Sequence, residues 1–391
     1  MSHETDPIPA ELAACADRVL TVIDAAAAER AQVWSDHAFN ALALDIFQAQ
    51  YACIEPYRAW CDHELGMRGW QFDHVRRWSD IPALPISAYK QRRIAGHAPA
   101  ATIVTWESSG TTQADLVSRH ELPSLELYET SLIAGVRAAL LPDFLATDEL
   151  VCIQLAPSVG ELPHSSLSHM FDVIRHELCR NGGAHATATE PVIVASAWSE
   201  LSRAAAAGEP VLVLATSFAL VHLFDVLTAE GAKPIVLARG SRLLDTGGFK
   251  GRTREISRDS LLDDVQRWLG IEPDMCENEY GMSELSSQSW LGTIAFALKR
   301  TLPDTGMATP GSRWQVPWMR TRVVDPISLE PVDSGVQGLL VHHDLANVWS
   351  CAAIRSEDIG IRRGRSYELV GRAPTAELRG CSLRIEDLWN A

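Results

Sequence analysis

Residues Thr102 to Thr112 read TIVTWESSGTT, an apolar stretch running into two serines, a glycine and two threonines. Such a loop suits a polyanion, because glycine lets the backbone come close and its N–H groups join the hydroxyls as donors. Ser108, Ser109, Gly110, Thr111 and Thr112 are therefore candidates to cradle phosphates. Gln113, Ala114, Asp115 and Leu116 follow, with no lysine. That separates the loop from GxxxxGK[ST], where a lysine meets the terminal phosphates. Ser/Thr/Gly turns are also ordinary surface connections, so the loop alone leaves both readings open.

A second concentration of chemistry is Glu277-Asn278-Glu279-Tyr280-Gly281-Met282-Ser283-Glu284. An adenine ring needs an aromatic face to stack on and an amide for its edge. A triphosphate needs a hydroxyl donor and a carboxylate-held Mg²⁺. The same residues also suit a turn with Tyr280 packed on the core and its acids solvated. A third is Arg355-Ser356-Glu357-Asp358-Ile359-Gly360, followed by Gly371-Arg372-Ala373-Pro374-Thr375-Ala376-Glu377-Leu378-Arg379-Gly380-Cys381. An aspartate at a strand end accepts ribose hydroxyls in other nucleotide folds, and Arg372 beside a glycine turn adds a donor. An exposed hairpin with a surface salt bridge explains either segment equally well.

The elements that must position these groups follow from composition and periodicity. The chain has 391 residues, more than one core usually serves. It is 47% hydrophobic and 21% charged, ordinary for a soluble globular enzyme. A net charge of −16 argues against nucleic acid or an anionic membrane as a general partner. Only Lys90, Lys233, Lys250 and Lys299 are available for lysine chemistry. The eight cysteines show no CxxC spacing, which points to reduced thiols. The opening MSHETDPIPAEL lacks the pattern of a secretory signal, and no long apolar run suggests a membrane span. The expectation is a cytoplasmic protein.

Leu12, Cys15, Val19, Val22, Ile23 and Ala26 recur at helical spacing, and a second helix is expected over 35–50. The prolines of DIPALPISAYK mark an extended connector. Beyond it, strands are expected at 102–106, 149–156, 191–195, 210–215 and 234–238. Helices are expected at 122–141, 167–181, 199–207, 220–230 and 260–269. This alternation predicts an α/β sheet covered by helices on both faces. After residue 300 the texture changes to strands punctuated by Pro and Gly, including 321–324 and 338–342, which predicts a smaller antiparallel subdomain. The expected divisions are 1–100, 101–300, 301–371 and 372–391.

Taken together, SSGTT, NEYGMSE, the SED segment and GRAPTAELRG resemble the adenylate-forming superfamily of acyl- and aryl-CoA ligases, peptide-synthetase adenylation domains and luciferases. LDTGGFKGRTRE (244–255), NEYGMSELSSQ (278–288), HDLANVWS (343–350) and GRAPTAELRGCSL (371–383) are similar to the acyl-protein synthetases of bacterial luminescence. The chain also looks like shortened adenylating enzymes of natural-product pathways such as phenazine assembly. The resemblance runs from about residue 80 to the end. It implies the multi-layer N-terminal domain of the adenylate-forming fold, with the C-terminal lid absent or vestigial. It also implies adenylation of a fatty or aromatic acid with ATP and Mg²⁺.

By the same resemblance, Ser108 to Thr112 would wrap the β- and γ-phosphates. Asn278 would contact the adenine edge and Tyr280 its face, with Gly281 and Met282 completing the turn. Ser283 would reach the α-phosphate, Glu284 would hold Mg²⁺, and Asp358 and Arg372 would bind ribose. His169 and Met170, in ELPHSSLSHMFDVIRHEL, would line the acyl pocket together with Ser217, although a satisfied core histidine fits His169 as well.

Two departures stand out. The Gly-x-x-Lys that usually completes the phosphate loop is replaced, and only twenty residues follow Gly371, where relatives carry a lid with a catalytic lysine. Lys250, with Arg252 in the glycine-rich Thr246–Arg252 segment, is the first candidate replacement, and Lys90 the second. Cys381 could accept the acyl group, its thiol activated by Arg379 and Arg384, or it could simply end a hairpin. Cys276 and Cys351 read as core. The acceptor remains open among Cys381, a reductase, a carrier protein, CoA and an amine. A non-catalytic nucleotide-binding subunit is the remaining alternative, and assembly into an oligomer stays open.

Overall fold

The structure, a computed structural model, describes residues 7–27, 35–108, 117–144, 151–179, 184–185, 194–247, 256–303, 306–307 and 310–373. Its centre is a seven-stranded sheet. Ala184–His185, Val151–Leu155, Val211–Thr216, Arg242–Thr246 and Cys276–Tyr280 lie side by side and parallel; Ser289–Trp290 and Trp314–Gln315 extend the sheet antiparallel.

Period-2 alternation sorts the side chains of the strand Val211–Thr216 between two cores. Leu212 and Leu214 join one, while Val211, Val213 and Ala215 join the other. Burial on both faces explains why the strand reads as an unbroken apolar run, VLVLA. Each such leucine or valine contributes roughly 1.5–3 kcal/mol by leaving water.

Helices Ala10–Ala27, Asp36–Cys53, Glu55–Met67 and Glu126–Ala139 contribute to the first core. In the last of these, Gly135 is needed for close approach: a Cβ there would lie 2.8 Å from Trp290 Nε1. The second core lies under Val194–Ala207, Ser217–Ala229 and Arg258–Leu269. The parallel strands end in helices whose first turns are capped by side chains. Ser165 accepts from the N–H of Ser168, Thr216 from Ala219, and Ser257 from Ser260, each at 3.1 Å.

A second sheet is built by Met319–Val324, Gln337–Asp344, Ala353–Arg363 and Ser366–Arg372, all antiparallel. Two pairings join distant parts of the chain. Trp314–Gln315 pairs back onto Ser289–Trp290, and Leu84–Pro85 pairs parallel with Ile354–Arg355.

Two local expectations differ from what is seen. The segment 234–238 is extended but forms no sheet strand. Pro234 has no N–H to give a ladder, and the N–H groups of Ile235 and Leu237 instead take the carbonyls of Trp268 and Leu269 at a helix end. The central strand at that point is Arg242–Thr246. The expected strand 191–195 overlaps the start of the helix Val194–Ala207, and its first residues lie outside those described. Among the described residues no helix is long and apolar enough to cross a membrane.

Candidate active site

The carboxyl ends of the parallel strands are where open α/β sheets bind ligands, and here most of the candidate side chains among the described residues come together. Cys276–Tyr280 is buried throughout. Asn278 faces the neighbouring strand, its Nδ2 donating to Asp245 O at 3.2 Å and to Asp245 Oδ2 at 2.9 Å. Its Oδ1 accepts from Arg313. Asp245 also accepts from Ser217 Oγ at 2.9 Å and from Arg258 at 3.0 Å. Ser217 is thereby held inside the sheet edge, with a second bond to Gly247 O at 3.2 Å.

Tyr280 donates its hydroxyl to Asp358 Oδ2 at 2.7 Å. The Arg313 guanidinium sits 5.5 Å from its ring centroid, and Tyr367 meets it edge-on at 6.2 Å. Asp358 and Arg372 are opposite each other in register, with Arg372 Nε 3.5 Å from Asp358 Oδ1. Thus Tyr280, Asp358 and Arg372, far apart in sequence, form one chain of contacts. Gly281 follows at the strand end, where a Cβ would run into the Glu279 carboxylate.

Beyond Met282, the Ser283 hydroxyl lies 3.4 Å from that of Ser166, in the first turn of Ser166–Leu178. The Ser283 carbonyl accepts from His120 Nδ1 at 2.8 Å. Burial pulls the His120 imidazole down to about 4, so it is neutral at pH 7 and its proton faces Ser283. Glu284 is buried, and its carboxylate accepts from the Ser118 hydroxyl. Burial raises its pKa; the Ser118 bond and the charges of Lys90 and Arg372 oppose that rise. Ser108 and Ser118 are tied together, N–H of Ser108 to Ser118 O at 3.1 Å and N–H of Ser118 to Ser108 Oγ at 3.3 Å.

His169 pairs with Glu129, Nε2 to Oε1 at 2.9 Å, between the rings of Trp106 and Tyr128. Met170 is buried in the first core and shares none of these polar contacts. Ser109, Gly110, Thr111, Thr112, Lys250, Arg252 and Cys381 lie outside the described residues. Sequence reasoning missed Ser118, His120, Asp245 and Arg313. Only Asp245 sat within a quoted motif; the other three carry no local pattern.

Among the described residues, no three His, Cys, Asp or Glu side chains converge to hold a metal ion by themselves. Mg²⁺ in phosphate chemistry is commonly held by one or two carboxylates together with substrate oxygens and water. Glu284, an acid buried with one hydroxyl partner, fits that arrangement.

Two further carboxyls here have measurable consequences. Burial raises Glu277 and Glu279 to about 7, partly offset for Glu279 by the Thr246 hydroxyl and the Arg313 charge. Between pH 4.5 and about 7 the folded state then holds protons that the unfolded chain has released, so stability falls as pH rises through that window. Glu279→Gln has no proton to lose there. Its stability relative to wild type should increase from pH 5 to pH 8, read as the difference in urea midpoints. A difference independent of pH would reject the assignment.

Residues 185–389, just over half of the chain, match the family described as "Acyl-protein synthetase, LuxE". The chain belongs to this acyl-protein synthetase family. The long-chain-fatty-acid–luciferin-component ligase of Vibrio harveyi is 22% identical over 353 residues, covering 88% of this chain and 86% of that protein. Its Aliivibrio fischeri counterpart is 33% identical over 81 residues, 18% and 21% of the two chains. Among solved structures, an open conformation of 2-hydroxyisobutyryl-CoA ligase in complex with 2-HIB-AMP and CoA superposes with a TM-score of 0.60. The two are 13% identical, over 86% of this chain and 74% of that one. The fold is therefore that of the N-terminal part of adenylate-forming enzymes, and this member of the acyl-protein synthetase family is a ligase.

Proposed function

We propose that this synthetase activates a fatty or aromatic acid with ATP and Mg²⁺ in the cytoplasm, releasing pyrophosphate, and passes the acyl group to a thiol. The observation that carries the reading is the contact chain Tyr280–Asp358–Arg372, set beside the Ser283–Glu284 turn at the carboxyl edge of the sheet. Tyr280 offers a ring face to adenine and Asn278 an amide to its edge. Asp358 and Arg372 hold the ribose hydroxyls, and Ser283 donates to the α-phosphate. Ser108 to Thr112 wrap the outer phosphates.

In the first step a substrate carboxylate oxygen bonds to the α-phosphorus and the bond to pyrophosphate breaks. The carboxylate needs no base, so the work left to the protein is electrostatic: bringing two anions together and holding them. Mg²⁺ bound at Glu284 would neutralise charge on the phosphates. Lys90, whose charge reaches Glu284, and Lys250 are the lysines assigned to assist. His169 and Ser217 line the acid's side of the site, and Met170 backs it from the core. In the second step the thiol sulfur, on Cys381, a carrier protein, a reductase or CoA, bonds to the acyl carbon as AMP leaves.

The test is carboxylate-dependent exchange of labelled pyrophosphate into ATP. Long-chain fatty acids come first in the survey, because the Vibrio harveyi relative is named for them. Exchange with at least one acid is expected; none, with or without an added thiol acceptor, rejects the reading. With labelled acid and ATP, the wild type should retain label through denaturation and release it to hydroxylamine. Cys381→Ser should retain none; label still bound in that variant assigns the acceptor elsewhere.

A further inference from the structure

The segment His343–Ser350, HDLANVWS, has no role in the chemistry above, yet it grips the turn that carries Ser283 and Glu284. Asp344, fully buried at the end of its strand, receives four hydrogen bonds on two oxygens. Oδ2 takes the N–H groups of Ser286 at 2.9 Å and Ser287 at 2.7 Å. Oδ1 takes Ser287 Oγ at 2.7 Å and the N–H of Ala346 at 3.1 Å. Three of the four donors are backbone N–H groups, which cannot accept, so both oxygens serve as acceptors and a proton on either would face an N–H.

Asn347 completes the grip. Its Nδ2 donates to the Glu284 carbonyl and to Cys351 O, both at 2.8 Å, and its Oδ1 accepts from Ser286 Oγ at 3.2 Å. The turn 344–352 is itself fixed to the helical layer. Gln50 donates to Asn347 O at 2.9 Å and Val348 O at 3.0 Å, and accepts from the N–H of Ala352 at 3.0 Å. On the other side of Glu284, His120 holds the Ser283 carbonyl. The Glu284 side chain, by contrast, has only the Ser118 hydroxyl as hydrogen-bond partner among the described residues. Its direction is therefore set by its backbone, and its backbone by Asp344 and Asn347.

We infer that Asp344 is a positioning residue for Glu284: through the N–H groups of Ser286 and Ser287 it fixes where the Glu284 carboxylate meets a divalent cation on ATP. This inference rests on the function proposed above. Side chains that orient a metal ligand typically govern affinity by about 10–100-fold when removed. Asp344→Asn keeps the shape but puts an NH₂ donor against at least one backbone N–H of the turn, so the turn must shift.

The test reads thermal stabilisation of the purified chain by ATP with EDTA and by ATP with Mg²⁺, since a ligand raises Tm according to its affinity for the folded state. In Asp344→Asn the increment due to ATP alone should remain, the extra increment due to Mg²⁺ should shrink, and KM for Mg²⁺ in pyrophosphate exchange should rise about tenfold. Leu201→Ala, which opens a cavity in the second core, lowers Tm without touching the turn and should keep both increments. Ser287→Ala removes one of the four bonds and should show the same metal effect, smaller, even if Asp344→Asn does not fold. A wild-type Mg²⁺ increment in folded Asp344→Asn, or an equal loss in Leu201→Ala, overturns the inference alone. Absence of any ATP stabilisation in the wild type overturns the proposed function together with it.

Discussion

Glu284→Gln is expected to lower carboxylate-dependent pyrophosphate exchange on the order of 10³-fold while leaving the protein at least as stable as wild type. The two halves of this result have one cause. Glu284 is only 3% exposed, and burial disfavours its charged form. Glutamine has the same shape and can still accept from the Ser118 hydroxyl, but carries no charge to desolvate. Stability is therefore kept or raised, and the ligand for Mg²⁺ is lost. Sites that hold a strained charge for function commonly gain stability when it is removed. The measurement pairs exchange rates at saturating acid and ATP with Tm in the absence of nucleotide. Exchange within about threefold of wild type would reject Glu284 as the metal carboxylate. A loss of activity accompanied by a large fall in Tm would make the residue structural instead.

The parts of this site that were legible in the sequence are those that fit within one turn of chain. Tyr280, Ser283 and Glu284 sit at the end of one strand and in the loop after it, so their spacing survives as a motif. Asp358 and Arg372 lie on adjacent strands of a hairpin; Asp358 was read as an acid at a strand end and Arg372 from the glycine beside it. Arg313 on one side, and Ser118 and His120 on the other, reach the same place from two separate segments. Nothing in their immediate neighbours marks them, since their partners are supplied by tertiary packing.

The fold shows the same division. The strand Val211–Thr216 announced itself because both its faces are buried in apolar cores. Arg242–Thr246 did not, because RLLDT carries an arginine and an aspartate at positions that are nevertheless buried. Their charges are satisfied across the structure, Arg242 by Asp143 and Leu140 O, and Asp245 by Arg258, which no local pattern can reveal. The neighbouring 234–238 looked more like a strand and is spent on a helix end instead.

Asp245 is also where the largest loss of stability is expected. It is a carboxylate 1% exposed, on a strand hydrogen-bonded on both sides, in register with Ala215 and Asn278. Asp245→Ala leaves the Arg258 guanidinium without its buried partner and strips one acceptor each from Asn278 and Ser217. Breaking a buried ion pair from one side costs about 3–5 kcal/mol. Arg258 is 31% exposed and can turn partly to water, which places the expected loss near the lower end, about 3 kcal/mol. Asp245→Asn keeps one acceptor oxygen for Asn278 and should lose less, about 1.5–2 kcal/mol. Urea unfolding followed by circular dichroism, with an unchanged denaturant slope, reads both values. A cost under about 1 kcal/mol for Asp245→Ala would mean that the pair contributes as a surface bridge does. The same substitution leaves the Asn278 amide held only by the backbone carbonyl of residue 245 and by Arg313, so KM for ATP should rise in the surviving folded protein. An unchanged KM would separate Asn278 from the adenine edge and leave Asp245 a purely structural acid.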